Sequence, residues 1–226
     1  MNQFVSSVMD DRIRRTVQAL EKNGMIVYRA KDRWAAADVV ESLLHPGDSI
    51  GVGGSATIDE CSILELIRGD DYSFIDRYEQ GLSRDEVRAR HVQALGADVY
   101  ITGTNAITEN GLLYNVDGSG NRIAAIAFGP KSVIVIAGSN KIVRDLNEAV
   151  IRVKSLAAPA NCKRLACDTY CNAAGACSSL ADPATAAAMG AGCRSDGRIC
   201  CDYLVSGPQR VKGRIKVIIV DEPLGF

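Results

Sequence analysis

The segment Ser49-Ile50-Gly51-Val52-Gly53-Gly54-Ser55-Ala56-Thr57 decides how the chain is read. Residues 49–53 read as a strand that runs into glycines, and a helix is predicted from about Thr57 to Ile67, so a strand gives way to a helix through a glycine-rich turn. The same alternation continues on both sides. Upstream, Phe4, Val8, Ile13, Val17 and Leu20 share one helical face, and Gly24 ends that helix. Residues 25–28 then form a strand, and Asp32 caps a second helix to about Leu44, which His45-Pro46-Gly47 stops. Downstream, Ser83 and Glu86 form a capping box for a helix ending near Gly96. Residues 99–102 and 133–137 are β-branched runs of the kind seen in buried parallel strands. Asp145 caps a helix to about Leu156, and residues 214–220 form a last strand. This alternation predicts an α/β fold: a parallel-rich open sheet with helices on both faces, over residues 1–157 and completed by the final strand in 209–226. Within it, Asn110-Gly111 and Asp117-Gly118 flank residues 112–116, which predicts a hairpin or a pair of tight turns.

Composition narrows the function classes. The 226 residues carry 26 Lys+Arg against 27 Asp+Glu, a net charge of -1. Nucleic-acid and membrane-surface proteins bind through basic excess, so neither partner is expected. Aromatics at 5% argue against base-stacking platforms. No apolar run reaches the roughly 18 residues of a membrane span. The first fifteen residues lack the basic start and apolar stretch of a secretory signal, and Asp10 and Asp11 interrupt them, so a reducing cytoplasm is expected.

That compartment gives weight to the cysteines. There are eight, and all but Cys61 fall in residues 162–201: Cys162, Cys167, Cys171, Cys177, Cys193, Cys200 and Cys201. In the cytoplasm such a cluster points to metal ligation rather than disulfides. With His45 and His91 far away in sequence, a site here is all-thiolate, which suits an iron–sulfur cluster or zinc. The alternative is inert, buried cysteine. Residues 158–208 show little apolar periodicity and read as an irregular Cys-rich insert.

Two further segments collect polar groups where ligands are bound. The glycine loop, through Gly53, Gly54 and Ser55, lets backbone approach an anion, or serves only as a tight turn. It has neither a Gly-Lys-Ser/Thr ending nor a Gly-x-Gly-x-x-Gly spacing, so NAD is not expected as a cofactor. Residues 102–122 start at a strand's carboxyl end, where open α/β sheets place ligands. Thr104, Asn105, Asn115, Asp117, Asn121 and Arg122 are the candidate contacts to a small anionic metabolite, with Arg122 able to grip a carboxylate in bidentate fashion. The alternative is that Asn and Asp serve turns and Glu109 is solvated.

The motifs at 51–57, 102–111, 115–122 and 128–138 stand in the order seen in lactate-utilisation (LUD-domain) proteins, and the chain resembles that family from about Val5 to Phe226. The resemblance implies a fold of the ribose-phosphate isomerase/CoA-transferase-like type. It also implies a place in oxidation of lactate or another 2-hydroxy acid, beside redox partner proteins. The family's cysteine-bearing branch resembles the tail and implies Cys171, Cys177, Cys193 and Cys200 as ligands to a 4Fe–4S cluster, with zinc as the alternative and Cys162, Cys167 and Cys201 as alternates. Here residues 178–192 separate the second ligand from the third, and Thr169-Tyr170-Cys171 replaces a usual Thr-Pro-Cys. A shorter segment, Thr108-Glu109-Asn110-Gly111-Leu112-Leu113, resembles the Ser-Glu-Asn-Gly stretch of CoA-transferases, which implies acyl or CoA transfer with Glu109 as catalytic nucleophile. A third expectation is a non-catalytic sensor or scaffold built on structural zinc.

Overall fold

The pairing of β-branched strands in the middle of the chain organises the molecule, seen here in a computed structural model that describes residues 3–226. Met1 and Asn2, at the head of the expected 1–157 core, lie outside the described residues. In chain order the elements are α1 (Gln3–Lys22), β1 (Ile26–Ala30), α2 (Arg33–Ser42), β2 (Ser49–Val52), α3 (Ala56–Glu60), α4 (Ile63–Ile67) and β3 (Ser73–Phe74). There follow α5 (Arg84–Ala94), β4 (Val99–Gly103), β5 (Ala106–Thr108), β6 (Leu113–Asp117), α6 (Asn121–Ala127), β7 (Ser132–Gly138) and β8 (Ile142–Val143). The chain closes with α7 (Leu146–Arg152), α8 (Ala158–Arg164), α9 (Tyr170–Ala174), α10 (Pro183–Ala186), β9 (Asp202–Ser206) and β10 (Ile215–Val220).

Six strands form a wholly parallel sheet in the order β1-β10-β7-β4-β2-β3. The last strand completes the sheet from within, between β1 and β7, with Val217 beside Val135. Side chains of β7 and β10 alternate between two cores, as strands covered on both faces must. Val133, Val135, Val217 and Ile219 pack with Leu20, Ala125 and Ile126 on one face. Ile134, Ile136, Ile218 and Val220 pack with Val40, Ile58, Ile63 and Ile67 on the other.

A second, four-stranded sheet, β8-β5-β6-β9, stands beside the first. The Asn110-Gly111 turn closes the antiparallel β5–β6 hairpin, with Ile107 beside Leu113. The Asp117-Gly118 turn makes no second hairpin. Asp117 accepts from the N–H groups of Ser119, Gly120 and Arg122 and so opens α6. The free side of β6 takes β9, which comes from the Cys-rich stretch, with Asn115 beside Leu204. Residues 158–208 are therefore more regular than expected, holding α8, α9, α10 and β9.

Two helices also differ from expectation. The helix predicted over 57–67 breaks at Ser62, which sits at φ 52. In an unbroken helix Ile63 would stand about 140° round from Ile58; the break lets both enter the same core. The helix capped by Asp145 does not end at Leu156 but runs on through a π-turn at Val153–Ala157 into α8.

Gly111 fixes how the hairpin docks on α1. It sits at φ +84, and a Cβ there would stand 2.6 Å from the backbone of Ala19. Gly47 has a like conformation, φ +87, but open space around it. Gly47→Ala is expected to cost about 1 kcal/mol, the left-handed penalty alone, and Gly111→Ala at least ~2 kcal/mol more because backbone must move. Urea denaturation of the two variants beside the parent checks this; equal losses would mean that the hairpin and α1 are not in close contact.

Candidate functional site

The site is built on one buried guanidinium. Arg122 lies in the first turn of α6, and α6 begins where Asp117 ends β6. One terminal nitrogen of Arg122 donates to Gly103 O (3.2 Å) and Asn115 Oδ1 (2.6 Å). The other donates to Asn105 Oδ1 (3.0 Å) and Val116 O (2.7 Å). Nε lies 3.7 Å from Asp117 Oδ2. Burial pushes the guanidinium pKa down, while Asp117 pulls it back up. Glycine is required beside this group, because a Cβ on Gly53 would meet Thr102 Oγ1 at 2.5 Å and Arg122 at 2.9 Å.

A polar cavity of about 270 Å³ opens over Arg122 at the carboxyl ends of β2 and β4. Of the residues expected to hold a ligand, Gly54 and Ser55 line it from the glycine loop, Thr104 and Asn105 from the end of β4, and Asp117, Asn121 and Arg122 from the start of α6. Gly53 and Asn115 do not line it; they stand against Arg122 instead. The bidentate grip expected of Arg122 is a correction: both terminal nitrogens are already spent on protein oxygens, so it braces the site and has no free fork to offer. Three cations that sequence reading missed also line the cavity: Arg77, Lys141 and Arg164. They sit in unrelated segments, and only the fold brings them together.

Glu109 does not line this cavity. It stands at the β5–β6 turn, where Arg12 Nε (2.7 Å) and an Arg15 terminal nitrogen (2.8 Å) donate to its two carboxylate oxygens. Burial alone would raise its pKa, but the two arginines outweigh that and hold it below the ordinary carboxylate value. A carboxylate stabilised in this way is a poorer nucleophile, and its visible work is to fasten the hairpin to α1.

The cysteines line a second, apolar cavity of about 30 Å³. Cys162, Cys171, Cys177, Cys193 and Cys200 line it, so the four ligands implied by the family pattern face one space together with one alternate. Cys162 Sγ and Cys171 Sγ are 3.5 Å apart. Cys167 and Cys201 lie outside the lining; Cys201 is exposed and its thiol turns to Arg198 O. Burial pushes the Cys162 and Cys200 thiols up to about 12. At Cys193 burial also pushes upward, but the Ser195 backbone and hydroxyl outweigh it and leave the thiol below its ordinary value. Among the described residues no three His, Cys, Asp or Glu side chains converge on one point as a single metal ion requires.

Two cations frame the thiols. Lys154, on the π-turn, donates to the carbonyls of Thr185, Ala186 and Ala188. Arg198 donates to the carbonyls of Gly190, Cys193 and Cys200 and to the Tyr203 hydroxyl. The cysteine and polar cavities share a wall formed by Val116 and Ile199.

Removal of Arg122 would take a donor from four oxygens: Asn115 Oδ1 would lose its partner, while Asn105 Oδ1 would still accept from Val116 N–H and Gly103 O from Thr102 Oγ1. Arg122→Met is expected to destabilise the fold by about 3–5 kcal/mol. Arg122→Lys should recover only a minor part, since an ammonium cannot reproduce the planar fork. Chemical denaturation checks both, and a loss under ~1 kcal/mol for the Met variant would remove Arg122 from its bracing role.

Comparison with known proteins places the chain. The sequence profile of the LUD domain matches residues 13–220, so the chain belongs to the LUD-domain family. A DUF162 family protein from Deinococcus radiodurans, known from its crystal structure, superposes with a TM-score of 0.50 over 94% of this chain and 98% of its own, at 16% identity, which shows a shared fold. A further structural match, eIF2B beta from Chaetomium thermophilum, is 19% identical over 48% of this chain and 42% of its own, with a TM-score of 0.33. No curated protein matches the sequence. Family membership relates the chain to lactate utilisation, and no helix among the described residues is long and apolar enough to cross a membrane.

Proposed function

We propose that this LUD-domain protein is an iron–sulfur-containing component of lactate or 2-hydroxy-acid oxidation, a station through which single electrons pass to redox partner proteins in the cytoplasm. The observation that carries the reading is that five cysteines, Cys162 on α8, Cys171 on α9 and three from the loops beyond, line one apolar space. A polynuclear cluster spreads its thiolates around a volume, whereas zinc gathers four sulfurs at roughly 2.3 Å from a point. The ring of thiols around one cavity is what supports the cluster reading. Cys171, Cys177, Cys193 and Cys200 would hold it, with Cys162 in reserve. Once bound, such a group supplies one-electron transfer at a potential set by charge, hydrogen bonding and burial.

The protein's own contribution is the setting. Val150, Val153 and Tyr114 wall the cavity with buried side chains on the core side. Lys154 and Arg198 place positive charge beside thiolates that would otherwise repel one another. Ligation also stabilises the segment that carries the cysteines, since binding to an unformed site is coupled to ordering.

Anaerobic purification followed by absorption spectroscopy and iron, sulfide and zinc analysis tests this. A brown protein with iron and labile sulfide is expected. Cys171→Ser, Cys177→Ser, Cys193→Ser or Cys200→Ser should each bleach it, and Cys201→Ser should not. Hydrogen exchange should show that chelation loosens residues 158–200 while β9, paired to β6, stays protected. Zinc without iron would replace the redox reading with a structural one, and a colourless, metal-free protein would end both.

A further inference from the structure

We propose that the polar cavity is a binding site for the carboxylate or phosphate of a small metabolite, with Lys141 as its charge anchor and Arg77 as a second cation. Lys141 ends the short turn Ser139–Lys141 that follows β7, at the carboxyl edge of the parallel sheet, where open α/β folds hold ligands. Its side chain is almost wholly out of solvent, with the residue 3% exposed, yet it faces the cavity. Nζ donates to Thr57 Oγ1 at 2.8 Å. No carboxylate lies within 4 Å of it among the described residues. A buried ammonium without a counter-ion is costly, and an oxyanion in the cavity would supply one.

Arg77 repeats the pattern. Its terminal nitrogens reach the His91 ring and the Tyr78 hydroxyl, neither of them an anion. Its Nε is buried with no hydrogen-bond partner at all. Asp117 is the one side-chain carboxylate lining the cavity among the described residues, and it is engaged with Arg122. The cavity therefore carries more positive than negative charge in a setting where charge is poorly screened. Its volume suits a metabolite better than a single ion.

The charges facing Lys141 fix a pH dependence. Burial lowers its pKa to about 7; Arg152 on α7 and Arg122 on α6 push the same way, while Glu60 and Cys61 oppose them. Free Lys141 is thus largely neutral above pH 7, and an anion favours the charged form. Binding should take up a proton, and affinity for an anion of constant charge should fall as pH rises from 6.5 to 8.5.

The assignment rests on Lys141 and Arg77 and not on the cysteine cavity, so it stands or falls separately from the iron analysis. Calorimetry of the purified full chain with L-lactate, pyruvate and inorganic phosphate tests it. At pH 6.5 at least one class should bind, and whether the carboxylates or phosphate do so identifies the ligand's head group. Lys141→Met should weaken binding about tenfold or more, the carboxylates should lose about tenfold or more between pH 6.5 and 8.5, and their binding in buffers of different ionisation enthalpy should report proton uptake. Arg77→Gln should weaken binding as well, and with the proton count it decides the matter if Lys141→Met does not fold. Binding of none of the three probes at about 10 mM, or binding that neither variant changes, would overturn the proposal.

Discussion

The donors of Arg122 tie together four separate parts of the molecule. Gly103 ends β4 in the parallel sheet, Asn105 begins the crossing to the second sheet, Asn115 and Val116 belong to β6, and Arg122 itself starts α6. One planar cation thus bonds to both sheets from the first turn of a helix. Each bond is modest in net terms, but removing the donor takes four bonds at once and leaves the buried Asn115 Oδ1 without its partner. Both cavities inherit their position from it. The polar one opens directly above it, and the thiol-lined one lies beyond Val116, whose carbonyl Arg122 holds.

The Cys-rich stretch solves a different problem. It has few large apolar side chains and cannot order itself by burial. Charge-assisted bonds to backbone carbonyls take that place. Lys154 gathers three carbonyls of the loop around α10, Arg198 gathers three more on either side of Cys193 and Cys200, and Lys163 reaches Asn172 O. Thr169 caps α9 and so turns Cys171 inward. The helix face behind them, with Val150 and Val153, packs with Ala106, Tyr114 and Val116 of the second sheet, so the stretch leans on that sheet and lends it β9 in return.

What was legible in the sequence was local. Asp32, Asp145 and the Ser83–Glu86 box cap the helices they announce, because a cap is a contact between residues three apart. The runs at 133–137 and 214–220 are buried strands because β-branched residues covered on both faces need no alternation. The five-residue β9 alternates only weakly, is half-exposed and pairs 85 or more residues back, so nothing local announces it. The break at Ser62 is dictated by Ile63 having to enter a core built by distant strands. The cysteine cavity was legible as a cluster in composition, but which thiols turn inward depends on Lys154 and Arg198, whose acceptors no spacing rule predicts. Lys141 looked like an ordinary turn lysine, since its isolation from carboxylates exists only in three dimensions.

Glu109 shows why environment decides what a motif does. Its neighbours, Thr108 to Leu113, resemble a segment in which a glutamate attacks a thioester, and the backbone here makes the tight turn that such a segment needs. A carboxylate attacks well when it is poorly stabilised and stands beside its substrate. Here it receives hydrogen bonds from two guanidinium groups of α1 and lies away from the cavity where a substrate would sit. The same six residues therefore serve as a clasp: Gly111 lets the hairpin approach Ala19, Asn23 donates to Gly111 O, and Glu109 closes the contact with Arg12 and Arg15. The chemistry proposed for this chain lies instead with the thiols that line the cysteine cavity and with Lys141 and Arg77, whose hydrogen bonds go to neutral groups.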